Sequence, residues 1–319
     1  MRKKWLISAI SILGMVIAFC YVLFVFFSEP FAKEEFNKNN DRYFVILPIE
    51  KWTDDVFPTP CISMRIGDMT ISSMIDLGFC GQFSIASNVL AQIDEKKYLG
   101  SSKRYEYNGK EFEKKVFEIP LIKTNGVTFY EARVLEEIVD PTRNSCIYTE
   151  NESPSPKEPG KIGWEAFGNF NLFLDLGNEI LAVCDSFETL ENEGYPIESF
   201  ISTPLILDRG LIEIDSIIHS GLVRCALDTG CTVNSINAPE LMGQTKFDME
   251  NITKFSKFKI AEKDFGPIKF LRLPIKLPIH VECVLGMEFF NDNMVFLDFK
   301  NNVAYFAPST KNLSSSLNE

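Results

Sequence analysis

The chain has 319 residues, of which 45% are hydrophobic and 13% aromatic, so it can bury a substantial core and is not disordered as a whole. The formal net charge of −12 argues against a nucleic-acid partner, because phosphate binding needs clustered Lys and Arg. The eight cysteines include no Cys-x-x-Cys pair and there are only two histidines, so no zinc site is expected.

An apolar segment near the N-terminus predicts a membrane anchor. Basic residues at positions 2–4 precede an uncharged run from Trp5 to Phe27, which matches the roughly 20 residues that a helix needs to span a bilayer. The positive-inside rule puts residues 1–4 in the cytoplasm, a span at residues 5–28 and the remainder of the chain outside. A cleaved signal peptide is the alternative, although its apolar region is normally about 7–15 residues.

An internal repeat organises the rest of the sequence. The segment Ile162–Phe167 (IGWEAF) aligns with Leu285–Phe290 (LGMEFF) at an offset of 123 residues, and the match extends without gaps to Asp175 and Asp298. In both copies it continues into two alternating segments around an Asn-containing turn, which predicts a pair of antiparallel strands. A duplicated unit determines the fold before any single motif is considered.

A second pair of matching segments lies upstream. Met74–Gly78 (MIDLG) corresponds to Ala226–Gly230 (ALDTG) at an offset of 152 residues. Each follows an alternating pattern that predicts a β-hairpin, with turns at residues 67–68 and 219–221. The two offsets differ by 29 residues, and much of this surplus falls in residues 141–161, whose composition predicts a surface loop.

These patterns predict an all-β chain with two homologous lobes. The expected segments are a polar stalk at 29–42, an N-terminal lobe at 43–190, a linker at 191–203, a C-terminal lobe at 204–308 and a disordered tail at 309–319. Short helices are expected only at Ala86–Gln92 and Pro239–Met242. Because the two lobes pair within one chain, we expect a monomer.

The residues around the second aspartate resemble the pepsin/retropepsin superfamily of aspartic proteases. Leu227-Asp228-Thr229-Gly230 with Val284-Leu285-Gly286 fits the family's Asp-Thr/Ser-Gly loop and its later hydrophobic-hydrophobic-Gly strand, and the first lobe fits in part. The resemblance spans roughly residues 43–308. It implies two retropepsin-like lobes in a pseudo-twofold, pepsin-like bilobal barrel. It also implies a membrane-tethered aspartic endopeptidase that acts on peptides or proteins and needs no metal or organic cofactor.

The resemblance further implies that Asp76 and Asp228 activate a water molecule between them. Two carboxyls about 3 Å apart cannot both ionise, so one residue type supplies both the acid and the base. The pair titrates as a unit, and neither aspartate is assigned a fixed role. Catalytic-loop support is expected from Leu77, Gly78, Thr229, Gly230 and Thr232.

Lobe one departs from the family pattern at two positions. Leu77 stands where Thr or Ser is expected, and leucine cannot make the cross-lobe hydrogen bonds that fix the loops in relatives. Lys161 replaces the first apolar residue of the hydrophobic-hydrophobic-Gly motif, which we interpret as a milder change at a strand entry. An inactive pseudoprotease, acting as a peptide-binding or scaffold module, is therefore the alternative to an active enzyme.

The segment RYEYNGK at residues 104–110 predicts a hairpin, because Asn-Gly flanked by alternating residues favours a tight turn. As a flap, this hairpin would place Tyr105 or Tyr107 over the substrate cleft, with Gly109 in the turn, and exclude water. An ordinary exposed hairpin is the alternative.

Two cysteines occupy matching places in the second lobe. Cys225 lies three residues before Asp228, and Cys283 lies three residues before Gly286. In the family fold their strands are neighbours, so either a disulfide or two separate thiols is compatible with the resemblance.

Overall fold

The structure is a computed structural model, which describes residues 43–50, 59–105, 111–137, 160–219, 221–237, 252–272 and 281–309. Within these ranges the chain is all-β, with three sheets and three short α-helices. None of the helices in this part is long and apolar enough to cross a membrane. The predicted span at residues 5–28 lies outside the described residues.

The strands, in chain order, are β1 (Phe44–Ile46), β2 (Cys61–Ile66), β3 (Met69–Ile75), β4 (Phe83–Ala86), β5 (Lys97–Tyr105), β6 (Glu111–Lys123), β7 (Thr128–Glu137), β8 (Gly160–Ile162), β9 (Asn171–Asp175), β10 (Ile180–Cys184), β11 (Ile201–Pro204), β12 (Ile206–Asp208), β13 (Leu211–Ile218), β14 (Gly221–Leu227), β15 (Ser235–Ile236), β16 (Ile252–Phe255), β17 (Phe258–Ile260), β18 (Lys263–Asp264), β19 (Ile268–Arg272), β20 (Cys283–Leu285), β21 (Asn293–Asp298) and β22 (Val303–Pro308). The α-helices are α1 (Ser87–Leu90), α2 (Thr189–Asn192) and α3 (Met287–Asp292). Short 3-10 helices lie at Trp164–Phe167, Leu176–Asn178 and Ile197–Ser199.

The hairpin of β2 and β3 follows from its sequence pattern. In β2 the side chains of Ile62, Met64 and Ile66 are buried while the alternating Ser63 is exposed, as the two-residue period of a half-buried strand requires. The turn after β2 contains Gly67 at a φ of 59°, a conformation that glycine adopts without a steric penalty. The hairpin predicted for this segment is confirmed, as is the one formed by β13 and β14.

The two halves of the chain build sheets with the same local pairing. In the N-terminal sheet, β3 pairs parallel with β8, β8 antiparallel with β4, and β4 parallel with β7. In the C-terminal sheet, β14 pairs parallel with β20, β20 antiparallel with β15, and β15 parallel with β19. In the N-terminal sheet a pairing of Arg65 with Lys123 also joins β2 to β6, which makes this sheet barrel-like. The repeat detected in the sequence is therefore a repeat of topology.

A third sheet joins the two halves. Its six strands run β1-β10-β9-β21-β22-β11, so that the matching strands β9 and β21 meet at its centre. Every residue of β9 and β21 is buried, because the sheet is covered on both faces. The turns after these strands also correspond, since Asn178 binds the Asp175 carboxylate and Asn301 binds the Asp298 carboxylate, both at 2.8 Å.

The structure refines several sequence-based boundaries. The segment expected as a linker contributes β11 to the joining sheet, where it pairs with β22. Ser309, placed by the sequence at the start of the tail, is buried and donates a hydrogen bond of 3.0 Å to Asp175. The first predicted helix is present as the shorter α1, and the second, at residues 239–242, lies outside the described residues.

Candidate active site

The two aspartates occupy equivalent loops, each directly after a strand of its half. The Asp76 amide donates a hydrogen bond of 2.9 Å to the Ile162 carbonyl, and the Asp228 amide donates one of 3.0 Å to the Leu285 carbonyl. Both acceptors lie on the parallel neighbour of the strand that leads into the loop. The parallel pairing therefore fixes where each loop begins.

Each loop glycine lies against the carboxylate of the opposite half. A Cβ built on Gly230 would stand 2.5 and 2.9 Å from the oxygens of Asp76, and one on Gly78 would stand 2.5 and 2.6 Å from those of Asp228. Real Cβ atoms do not approach so closely, so only glycine leaves room for the two loops to face each other. This reciprocal contact brings the predicted aspartates together.

Thr229 links the loops through its side chain. Its hydroxyl accepts a hydrogen bond of 3.1 Å from the Leu77 amide and donates one of 2.5 Å to the Ile75 carbonyl. The Thr229 side chain is fully buried, so both backbone groups exchange water for a protein partner at this point. The C-terminal half thus holds the loop of the N-terminal half in place.

On the loop of the N-terminal half, the residue equivalent to Thr229 is apolar. Leu77 is fully buried and belongs to the main hydrophobic cluster, where it contributes packing but has no hydroxyl. The expected departure from twofold symmetry is therefore seen in the structure as a hydrogen-bonding side chain on one loop and an aliphatic side chain on the other.

The surroundings of Asp228 disfavour its ionised form. Burial, followed by the charge of Asp76, raises the pKa of Asp228 to about 7, and a hydrogen bond with Asp76 acts in the same direction. The Gly230 amide, 2.8 Å from an Asp228 oxygen, and the Lys161 ammonium act in the opposite direction without outweighing these effects. Two carboxyls in contact thus retain a proton well above the ordinary range for an aspartate.

Lys161 contacts Asp76, the other member of the pair. No sequence pattern predicts this contact. Its ammonium lies 3.1 Å from an oxygen of Asp76, whose side chain is only 10% exposed. The strand β8 carries Lys161 between β3 and β4, where it pairs with Met74 and Ser84. The signal in the sequence was the loss of an apolar residue from the motif before Gly163; only the strand pairing shows what the lysine reaches.

Another carboxylate, that of Glu137, interacts with Lys161. Glu137, at the end of β7, accepts hydrogen bonds from Ser84 at 2.8 Å and from Lys114 of β6. Burial acts to raise the pKa of Glu137, but Lys114, Ser84 and Lys161 outweigh burial, and the net shift is downward. No sequence motif marks Glu137 or Lys114, which meet through the antiparallel pairing of the consecutive strands β6 and β7.

A turn of the C-terminal half also packs behind the first loop. The indole of Trp164 donates a hydrogen bond of 2.8 Å to the Gly210 carbonyl, and its ring stacks on Phe299 at 5.6 Å. Gly210 has a φ of 81°, and a Cβ at this position would stand 2.9 Å from the sulfur of Cys80. A residue with a side chain is therefore excluded at Gly210 by both its backbone conformation and this contact.

The remaining predicted site residues are less central in the structure. Thr232 is partly buried, and its carbonyl accepts a hydrogen bond of 3.2 Å from the Glu288 amide at the start of α3. Tyr105 ends β5, whose pairing with β6 forms the two arms of the predicted hairpin. Tyr107 and Gly109, in the turn of that hairpin, lie outside the described residues.

The two matching cysteines face each other in the sheet register. Cys225 of β14 is the direct partner of Cys283 of β20, as expected for neighbouring strands. Both are buried and both are present as thiols rather than as a disulfide.

Comparisons with known proteins support the fold. No protein-family model and no curated protein matches this sequence. Among solved structures, the chain is similar to conglutin gamma, a basic 7S globulin from lupine seeds, with a TM-score of 0.55 and 9% identity over 85% of this chain and 97% of that chain. At this identity the similarity shows a shared all-β fold, and the chemistry has to be argued from the residues of this chain.

Proposed function

We propose that this chain is an aspartic endopeptidase of the pepsin/retropepsin type, with Asp76 and Asp228 as its catalytic pair. The observation that carries this proposal is the reciprocal contact in which each loop glycine lies against the opposite carboxylate. Two half-chains with the same topology supply one carboxyl each, and the pair retains a proton. This combination is what acid and base catalysis by two like groups requires.

The chemistry follows from a pair that holds one proton. The ionised carboxylate takes a proton from water while the water oxygen bonds to the peptide carbonyl carbon, and the neutral carboxyl gives its proton to the carbonyl oxygen. The resulting gem-diol then loses a hydroxyl proton to one carboxylate as the other carboxyl protonates the nitrogen and the C–N bond breaks. One acid and one amine leave, and the pair again holds a single proton.

We propose peptides or proteins as substrates, without a metal or organic cofactor. The proposed substrate site is a cleft between the halves, and the hairpin of β5 and β6 is the proposed flap. Because both halves of the dyad belong to one chain, the proposed unit is a monomer. The net charge of −12 supports the exclusion of nucleic acid.

The proposed location is a membrane surface. The uncharged run from Trp5 to Phe27, with basic residues before it, supports a single span at residues 5–28 and catalytic halves outside the cytoplasm. Protease accessibility of the catalytic halves in intact cells tests this orientation. Protection of the whole chain from added protease would reverse it.

A catalytically inactive peptide-binding module is the second candidate. Leu77 removes one of the two hydroxyls expected to link the loops, and Lys161 occupies one carboxylate oxygen of Asp76 with an ion pair. A shared fold does not decide between the two functions, since folds host many activities.

Cleavage of a diverse peptide library by the purified full chain, measured from pH 3 to 8, tests the primary proposal. The matched controls are Asp76→Asn and Asp228→Asn, which keep the size of each side chain. We expect cleavage in the wild type and a loss of at least a hundredfold in both variants. A folded wild type that binds peptides without cleaving them at any pH would instead support the binding module.

A further inference from the structure

The charges around the two aspartates are unequal. Lys161 lies 3.1 Å from Asp76, whereas the equivalent position in the repeat, 123 residues later, is the buried Val284. The strands that carry these two residues have the same place in their sheets, beside β3 and β14. A cation thus lies beside Asp76, while the equivalent position of the C-terminal half carries an apolar residue.

Lys161 also interacts electrostatically with Glu137. Glu137 lies close enough for Lys161 to lower its pKa, and Glu137 is itself bound by Lys114 and Ser84. The charged groups that face Lys161 thus include Asp76, Asp228 and Glu137, and Lys114 binds Glu137. They come from four different strands or loops, so the ammonium is positioned by the sheet rather than by one flexible neighbour.

We propose that Lys161 is a positioning residue of the dyad, which keeps Asp76 ionised and so leaves the shared proton on Asp228. This inference rests on the proposed function and gives each aspartate a role that the sequence could not assign. An ion pair at 3.1 Å stabilises the carboxylate form of its partner. Burial beside Asp76 correspondingly favours the neutral form of Asp228.

The assignment fixes the direction of every proton transfer. Asp76 takes the proton of the attacking water, and Asp228 gives its proton to the carbonyl oxygen, forming the gem-diol. In the second step Asp76 returns its proton to the departing nitrogen, and Asp228 takes the proton of one gem-diol hydroxyl. The cycle ends with Asp76 ionised and Asp228 neutral, so the ion pair between Lys161 and Asp76 is restored after each turnover.

The test is Lys161→Met, which removes the charge while keeping an unbranched apolar side chain. Lys161→Arg is the conservative variant that keeps a cation. Lys115→Met is the matched control, because Lys115 is an exposed residue of β6 paired with Glu136 at 3.1 Å and not with the dyad. Folding of each variant is checked by its urea unfolding midpoint.

Two readouts are measured on the full chain. The first is the pH profile of peptide cleavage. The second is a ¹³C-carboxyl NMR titration of aspartate-labelled protein, with the dyad signals identified in Asp76→Asn and Asp228→Asn. We expect the acidic limb of the profile and the lower dyad midpoint to move upward by about one pH unit or more in Lys161→Met. Lys161→Arg and Lys115→Met should keep the wild-type midpoints.

Different results would contradict the endopeptidase proposal and the proposed role of Lys161. An unmoved lower midpoint in a folded Lys161→Met variant overturns the role of Lys161, whether or not peptides are cleaved. A wild type that cleaves nothing while its lower midpoint moves in Lys161→Met overturns the endopeptidase and leaves the proton assignment standing. A midpoint that moves equally in Lys115→Met would also overturn the inference, because the effect would then reflect net charge rather than this ion pair.

Discussion

The hydroxyl of Thr229 donates a hydrogen bond of 2.5 Å to the carbonyl of Ile75, a residue 154 positions earlier in the chain. The same oxygen accepts the Leu77 amide, so one side chain satisfies two backbone groups of the opposite loop. No hydroxyl at position 77 can return this support. The loop that carries Asp76 is therefore fixed by the other half of the chain, while the loop that carries Asp228 lacks the equivalent bond.

Thr229→Val should destabilise the protein and reduce its activity. The substitution keeps the side-chain shape but leaves a buried amide and a buried carbonyl without this partner, which costs about 1–3 kcal/mol of unfolding free energy. Thr229→Ser, which keeps the hydroxyl, should cost about 1 kcal/mol for the lost methyl group. Urea unfolding of the two variants checks this prediction. Equal destabilisation by Val and Ser would show that packing, not hydrogen bonding, is the role of Thr229.

Leu77→Thr should lower the stability of the protein but cleave peptides faster than Leu77→Val. The variant removes apolar side-chain volume from a fully buried position, which we expect to cost about 2–4 kcal/mol. Its new hydroxyl would lie near the Thr229 amide, in the place that is pseudo-equivalent to the existing link. We expect roughly tenfold faster peptide cleavage than in Leu77→Val, a control of the same shape without the hydroxyl. Equal rates in the two variants would contradict the expected support.

Much of the fold could be predicted because it depends on local pattern and repetition. The constant offsets between Gly163 and Gly286 and between Asp76 and Asp228 identified equivalent strands, and alternation located the hairpin turns. The sequence predicts a linker for residues 201–203, because a short edge strand has no pattern of its own before its partner β22 is known. Short edge strands are thus harder to predict from sequence than strands that belong to an internal repeat.

The candidate site was predictable only for residues within motifs. Asp76 and Asp228 stand in recognisable loops, whereas the contact of Lys161 with Asp76 depends on β8 lying between β3 and β4. Glu137 and Lys114 meet across the consecutive strands β7 and β6, but no motif marks either residue as part of the site. Long-range strand pairing therefore determined the electrostatics of the site, and the sequence alone did not specify it.

The stability of the protein should fall as the pH rises from about 4 to about 7. In this range Asp228 is ionised in the unfolded chain but still neutral in the folded protein. The pKa of Asp228 is raised to about 7 in the folded protein, compared with about 4 for an aspartate in an unfolded chain. Between these values the unfolded state binds fewer protons, so the contribution of Asp228 is complete below about pH 4 and is lost toward pH 7. Urea unfolding from pH 4 to 8 measures the slope.

Asp228→Asn provides the control for this dependence, because the amide does not titrate. The difference in unfolding free energy between wild type and variant should change steadily between about pH 4 and 7 and level off outside this range. A pH-independent difference would show that Asp228 has an ordinary pKa in the folded protein. Such a result would also remove the support that a retained proton gives to the proposed catalytic pair.

Gly230→Ala should disrupt the site through the carboxylate of the opposite half. The new Cβ would stand 2.5 Å from an oxygen of Asp76, so either this carboxylate or one of the loops has to move. Overpacking of this kind costs about 1–3 kcal/mol, and a displacement near 1 Å lowers activity by about a hundredfold. The two effects are measured by urea unfolding and by peptide cleavage of the same preparation.

The double variant Asp76→Ala/Gly230→Ala identifies the cause of that cost. Asp76→Ala removes the carboxylate that the new Cβ would meet, so Gly230→Ala should be less destabilising in this background than in the wild type. We expect a coupling free energy of about 0.5–3 kcal/mol between the two positions. Additive effects would mean that the methyl group acts on its own loop alone. Coupling would instead measure, without reference to catalysis, how closely the C-terminal loop approaches Asp76.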